Sequence, residues 1–370
     1  MRILHIINNL GSGGAEKLIE EALPIMKRDG EDVEVLLLSD NNNVFDESLK
    51  NNKVKVTVLS NTRKLISIVN IYFIRKHIIK GKYDIIHTHL FPTNYLTPIA
   101  VNTIFRNKPK LITTEHSTHN RRREKKLYKL IERYIYSIYD KVISISDDTH
   151  NNLVNWLGIK GHDLNKFIVI GNGVNLTRYG KAEPYKKSQI NPTFDDETIL
   201  LCMVGRFSKQ KDQLTLIKAM KGLQNNVHLL LIGEGPLKDT IQKEVQVNSL
   251  ENNVHFLGFR NDIEEIFKSV EVIILSSNWE GFGLAAVEGM ASGKPVIASD
   301  VPGLSKVVKH AGILFEKGNS LELQISIKQL IHNKEEYEIV ARKCLARSKD
   351  YDIDKMVRKY LNHYKALNKS

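Results

Sequence analysis

Short apolar runs alternate with longer stretches of mixed polarity along almost the whole chain. The runs lack the polar alternation of a half-buried strand and are too short for helices. They read as strands buried on both faces, each followed by an amphipathic helix, the pattern of repeated βα units and a parallel sheet. In the first half the predicted strands are 3–7, 33–38, 54–58, 84–87, 111–114, 142–145 and 168–170. In the second they are 199–204, 227–232, 254–257, 272–275, 295–298 and 312–315. Between the two sets, 177–197 is polar, carries Pro184 and Pro192 and has no clear period, so it is assigned as a linker. Each half opens with a strand, a Gly- or Lys-rich loop and a helix. The fold class is therefore α/β, with two doubly wound domains at 1–176 and 198–350 and a final helical segment at 351–370. Such sheets take ligands at the C-terminal ends of their strands.

Composition changes this picture little. An apolar fraction of 42% with 26% charged residues is ordinary for globular proteins, and 370 residues suffice for two cores. The two cysteines, Cys202 and Cys344, cannot build a disulfide framework and are expected as reduced thiols, which points to a cytoplasmic setting. The first residues do not read as a signal peptide. No transmembrane helix is expected, because Pro92, Pro98 and several Asn and Thr interrupt 85–105. The charge is uneven. Residues 51–133 hold 18 Lys/Arg against 4 Asp/Glu, while the whole chain is +12. A basic surface confined to part of one domain suggests an anionic partner. No nucleic-acid-binding module is present, so that reading of the charge is set aside.

The densest chemistry lies in 276–300, SSNWEGFGLAAVEGMASGKPVIASD. A strand feeds a loop ending in Glu280-Gly281-Phe282-Gly283, and a helix then opens at Leu284. The glycines admit a ligand close to the backbone, and unpaired N–H groups at the helix start favour an anion. Glu280 on the loop and Glu288 about one helical turn in can face one cleft. Phosphate flanked by hydroxyls, as in a sugar nucleotide, suits such a place. The stretch resembles the E-x7-E signature of the retaining family-4 glycosyltransferases, through E-G-F-G-L-x-x-x-E-x-M-A-x-G-x-P-V-I-A-S.

Other motifs join the resemblance. Gly205-Arg206-Phe207-Ser208-Lys209-Gln210-Lys211 is similar to the family's G-R-x-x-x-x-K, whose cations hold the donor diphosphate. Fixed cations aimed at charge that grows on the leaving group lower the barrier to its departure. Gly11-Ser12-Gly13-Gly14-Ala15-Glu16 resembles the G-G-A-E loop beneath the donor, with Gly13 and Gly14 close to it. It is not a dinucleotide fingerprint, since Glu16 stands where glycine is required. His116, in Thr113-Thr114-Glu115-His116, matches a histidine placed near the donor sugar. His87 and His89 end another strand and are assigned to the acceptor side, as is the basic run Arg121-Arg122-Arg123. Arg260, in Phe259-Arg260, follows the segment whose backbone reads the base in the family.

The resemblance implies a GT-B architecture of two facing Rossmann-like domains, with the last helix crossing back to the first. It implies transfer from a nucleotide sugar, expected to be a UDP-sugar, to a saccharide acceptor. The setting it suggests is bacterial polysaccharide or lipopolysaccharide synthesis. His116, Glu280, Arg206 and Lys211 would be catalytic. Gly13, Gly14, Arg206, Lys211, Arg260, Glu280, Gly281, Phe282, Gly283, Leu284 and Glu288 would hold the donor. In this family transfer is usually described as front-face, and no enzyme nucleophile is assigned. No metal and no cofactor are expected: no His/Cys/Asp group has ligand spacing, and the lone D-x-D, Asp352-Ile353-Asp354, suits a helix cap. One departure is Lys306, where relatives usually carry an acid after their Gly-Gly or Pro-Gly turn. This puts donor identity in question.

Leu65–Ile74, bracketed by Arg63-Lys64 and Arg75-Lys76, together with Arg121 to Lys126, suggests peripheral docking on the inner face of an anionic membrane and a lipid-linked acceptor. Two alternatives remain open from sequence: a hydrolysing UDP-sugar epimerase, and a non-catalytic nucleotide-sugar-binding subunit.

Overall fold

A computed structural model describes residues 1–59, 65–118 and 120–369, with Arg121 described by its backbone only. The chain divides into two compact units, one of residues 1–173 with 353–370, the other of 174–352.

Unit 1 is built on seven strands: β1 (Arg2–Ile7), β2 (Asp32–Leu37), β3 (Lys55–Val58), β4 (Ile85–His89), β5 (Lys110–Glu115), β6 (Lys141–Ser144) and β7 (Phe167–Val169). They pair in the order β3-β2-β1-β4-β5-β6-β7, all in parallel. The order reverses beside β1, where β4 pairs with its other edge, so the switch point lies between β1 and β4. Side chains on β1 alternate between two cores. Ile3 and Ile7 pack with the helices Gly14–Arg28 and Ile353–Lys369, while Leu4 and Ile6 pack with Ile74, Ala100 and Val101. Burial on both faces is why these strands read as continuous apolar runs.

Unit 2 holds β8 (Ile199–Val204), β9 (Val227–Ile232), β10 (Val254–Gly258), β11 (Val272–Leu275), β12 (Val296–Ser299) and β13 (Ile313–Phe315), in the order β10-β9-β8-β11-β12-β13. Its switch point lies between β8 and β11.

One expectation changes, and the crossing of the last helix to the first unit holds. The stretch 177–197 contains helical turns at Leu176–Lys181 and Lys187–Ile190 and is part of unit 2. Single anchors hold it rather than a periodic apolar face. Tyr179 is fully buried beside Phe267, Arg178 Nε meets Glu264 Oε1 at 2.5 Å, and the Tyr185 hydroxyl donates to Asp262 at 2.9 Å. The Ile353–Lys369 helix is counted with unit 1, where Val357, Tyr360, Leu361 and Tyr364 are buried in the sheet's core.

Candidate active site

In unit 2 the loops that leave β8 and β11 are stitched together at the switch point. Asn278 donates through its backbone N–H to the Gln210 carbonyl at 2.7 Å and through Nδ2 to the Lys209 carbonyl at 2.8 Å. Ser276 Oγ donates to the Asp212 carbonyl at 2.8 Å. This places Lys211 against Glu280. The Lys211 ammonium lies 2.5 Å from Glu280 Oε1, which also accepts from Ser277 Oγ at 2.8 Å. Glu280 is only 6% exposed, so its charge is held by partners rather than by water. Arg206 is exposed near the start of the loop that leaves β8, and among the described residues no carboxylate lies within ion-pair distance of it. One cation is thus pre-set by an acid and the other is open.

The glycines have defined duties. Gly283 has φ +95° and caps the Leu284–Ala291 helix, and a Cβ there would come within 2.5 Å of Leu304 Cδ2. Gly303, at φ +89°, lets its turn pass the Glu280 carbonyl, which a Cβ would approach to 2.5 Å. Glu288 sits on the Leu284–Ala291 helix and is 5% exposed. Leu284 is half-buried at the start of that helix. The Phe282 ring is buried edge-on against Tyr351 at 5.3 Å, so a ligand here would meet its backbone rather than its ring. Arg260 is exposed and bidentate on Asp262, at 2.8 and 2.5 Å. Lys306 is exposed on the short Leu304–Val308 helix.

In unit 1, Gly13 and Gly14 are exposed where the chain leaves β1 and the first helix begins. A Cβ at Gly13 would sit 2.3 Å from Glu16 Oε2, so the glycine makes room for that carboxylate, whose pKa burial raises. The sheet gathers four histidines on the face covered by the Ile353–Lys369 helix. His5 on β1 is in register with His87 on β4; His89 follows on the same face, and His116 lies just past β5. His116 Nε2 is 3.1 Å from His89 Nδ1, and His89 Nε2 is 3.0 Å from His5 Nδ1. His87 instead bonds the Tyr364 hydroxyl at 2.5 Å and Thr114 Oγ1 at 2.7 Å. Burial favours the neutral rings, lowering His5 to about 3 and His116 to about 4, with His87 and His89 also well below the usual range.

Several assignments shift. His87 is fully buried and His89 nearly so, and neither forms an open acceptor wall. Arg123 turns inward to Glu115 and Glu132, at 3.2 Å each, in a buried network completed by Tyr136 and Trp156. Arg122 lies over the Phe91 ring at 4.0 Å. Both serve the packing of unit 1. The sequence showed no cluster with metal-ligand spacing, yet His5, His87 and His89 bring ring nitrogens within 4.8 Å of one another, a set able to hold a metal ion. His5 was missed because only strand order brings it beside β4.

A second unforeseen feature is the Lys126–Ile138 helix. Its inward face carries Glu132, Ile135 and Tyr136, while Leu127, Leu130, Ile131 and Tyr134 form a stripe left in solvent. Ile68, Val69, Tyr72 and Ile79 are likewise exposed on the Ile68–Gly81 helix, and Phe105 is 92% exposed. Part of the expected apolar segment, including Ile74, is core; Arg63 and Lys64 lie outside the described residues. Among the described residues no helix is long and apolar enough to cross a membrane.

Two parallel, doubly wound units with polar groups collected at their switch points define a Rossmann-type α/β class of protein. The model described as Glycosyltransferase Family 4 matches residues 12–178, and that described as Glycosyl transferases group 1 matches 185–344. An uncharacterized glycosyltransferase of Methanocaldococcus jannaschii is 30% identical over 337 residues, covering 87% of this chain and 88% of its own length. The chain belongs to the family-4 glycosyltransferases. It is 28% identical over 293 residues to the UDP-Gal:alpha-D-GlcNAc-diphosphoundecaprenol alpha-1,3-galactosyltransferase of Escherichia coli, with 75% of this chain and 73% of that protein covered. Its fold is that of Anabaena HepE, solved with UDP and glucose, at a TM-score of 0.84, 22% identity and 99% coverage of both chains. The GT-B fold class expected from the motifs is therefore the one observed, and family membership favours sugar transfer over the epimerase and binding-subunit readings.

Proposed function

We propose that this chain is a retaining, metal-independent transferase that moves a sugar from a UDP-sugar to a lipid-linked saccharide in cell-surface polysaccharide synthesis. The observation that carries the reading is the Lys211–Glu280 pair beside exposed Arg206 at the β8/β11 switch point. Breaking the sugar–phosphate bond leaves a diphosphate that gains charge. Arg206 can grip two of its oxygens, Lys211 supplies a point charge, and the amides at Gly283 and Leu284 receive a third. Glu280 keeps Lys211 in place before the phosphate arrives. Glu288 is assigned to the ribose hydroxyls, and His116 to the sugar or the incoming hydroxyl. The leaving phosphate takes the acceptor's proton, so no enzyme nucleophile is assigned.

The acceptor's lipid anchor is supported by the Escherichia coli relative, whose name specifies a diphosphoundecaprenol substrate. It is also supported by the apolar stripe of the Lys126–Ile138 helix, flanked by Lys125, Lys126 and Arg133. Exposed apolar side chains beside cations suit the surface of an anionic bilayer, at roughly 1 kcal/mol per basic residue near it. We place the enzyme peripherally at the cytoplasmic face of such a membrane.

Purified protein offered a panel of UDP-sugars and a polyprenyl-diphosphate saccharide, with EDTA present, tests the reading. Product carrying the donor's own anomeric configuration is expected. An inverted anomer, release of free sugar only, or dependence on added divalent metal would refute the corresponding part.

A further inference from the structure

His116 is the outer end of a chain of imidazoles that runs inward through His89 to His5, with ring nitrogens 3.1 and 3.0 Å apart at the two links. A neutral imidazole has one N–H and one bare nitrogen, so each link needs a donor on one ring and an acceptor on the next. Only two settings satisfy both links: all three ring protons on Nδ1, or all three on Nε2. The state of the outward Nδ1 of His116 is thereby tied to that of a residue in the core.

The inner end decides between the settings. His5 is 2% exposed, and its Nε2 has no hydrogen-bond partner among the described residues. A proton on that nitrogen would be an orphaned buried donor, the rarest kind of unsatisfied group, whereas the alternative leaves only a bare lone pair there. We propose that His5 and His89 are positioning residues that hold His116 with its ring proton on Nδ1. It then donates from that nitrogen to an oxygen of the bound substrate while remaining neutral. His87 stands outside the relay, because Tyr364 and Thr114 occupy both its nitrogens. A neutral histidine held as a donor supplies polarisation without acting as a base. This inference rests on the assignment of His116 to the substrate site.

Nitrogen-15 spectra of the histidine rings at neutral pH test it in the intact protein. Nδ1–H on His5, His89 and His116 is the expected result. An Nε2–H on any of the three overturns the proposal, whatever the role of His116 in turnover. In His89→Leu, His116 loses its acceptor link. The exclusive Nδ1–H signal should disappear and kcat should fall about tenfold. His89→Asn, whose amide can donate to His116 Nε2, should recover most of both. If His89→Leu keeps the Nδ1–H signal and full kcat, the positioning role is overturned. Loss of activity in His116→Ala tests the site assignment separately, and its failure would leave the tautomer result standing.

Discussion

Acidification should loosen unit 1 through its buried histidines, and His5 gives the cleanest measure. In the unfolded chain His5 titrates near 6.5, while in the fold burial holds it at about 3. The folded-state value is depressed, so stability is intact above the unfolded value and is lost as pH falls from about 6.5 toward 3. At pH 5 the unfolded chain is almost fully protonated at this residue and the folded chain is not, which amounts to roughly 2 kcal/mol relative to pH 7.5. His87 and His89 shift in the same direction and add to the loss. Side-chain carboxylates of ordinary pKa remain ionised at pH 5, which separates this effect from theirs. The chain has two tryptophans, and Trp156 lies in unit 1, donating to Glu132 at 2.7 Å. Urea unfolding followed by Trp156 fluorescence in a Trp279→Phe background therefore reports on unit 1. Between pH 7.5 and 5, His5→Leu should lose about 2 kcal/mol less stability than the parent. Equal losses in the two proteins would show that His5 does not carry the penalty.

Three further outcomes are expected. Lys211→Met strands the buried Glu280 charge and should cost about 1.5–3 kcal/mol in thermal or urea unfolding of unit 2, with activity abolished. Adding Glu280→Gln should restore much of the stability and none of the turnover. Gly283→Ala forces a Cβ toward Leu304 at a left-handed backbone position, so a loss of at least about 1 kcal/mol and weaker UDP binding by calorimetry are expected. Leu130→Glu and Ile131→Glu alter exposed positions, so they should leave unfolding unchanged while reducing flotation with anionic liposomes.

Much of the architecture was legible because both sheets are parallel and covered on each face, so their strands announce themselves as apolar runs. The donor-side motifs stood out through their resemblance to the family, since glycines and charged residues in a βα loop are as often only a tight turn and a solvated surface. What could not be read was anything set by strand order or by single contacts. His5 looks like one polar residue in an apolar strand until β4 is placed beside it. Arg123 looks like part of an open basic run, but Glu115 and Glu132, distant from each other in sequence, draw it inward. The 177–197 segment reads as linker because its hold on unit 2 comes from Tyr179 and Arg178 rather than from a repeating stripe. The Lys126–Ile138 helix has a strong apolar period, yet that period faces outward, which periodicity alone cannot reveal.

The membership of 353–369 in unit 1 bears on how a nascent chain matures. Residues 174–352 leave the ribosome as an uninterrupted block and can complete their own core at once. The earlier 173 residues must wait, with Ile3, Ile7 and His87 lacking the roof that Tyr360, Leu361 and Tyr364 later provide. During translation the segment made first can thus close its core only after the last helix has emerged.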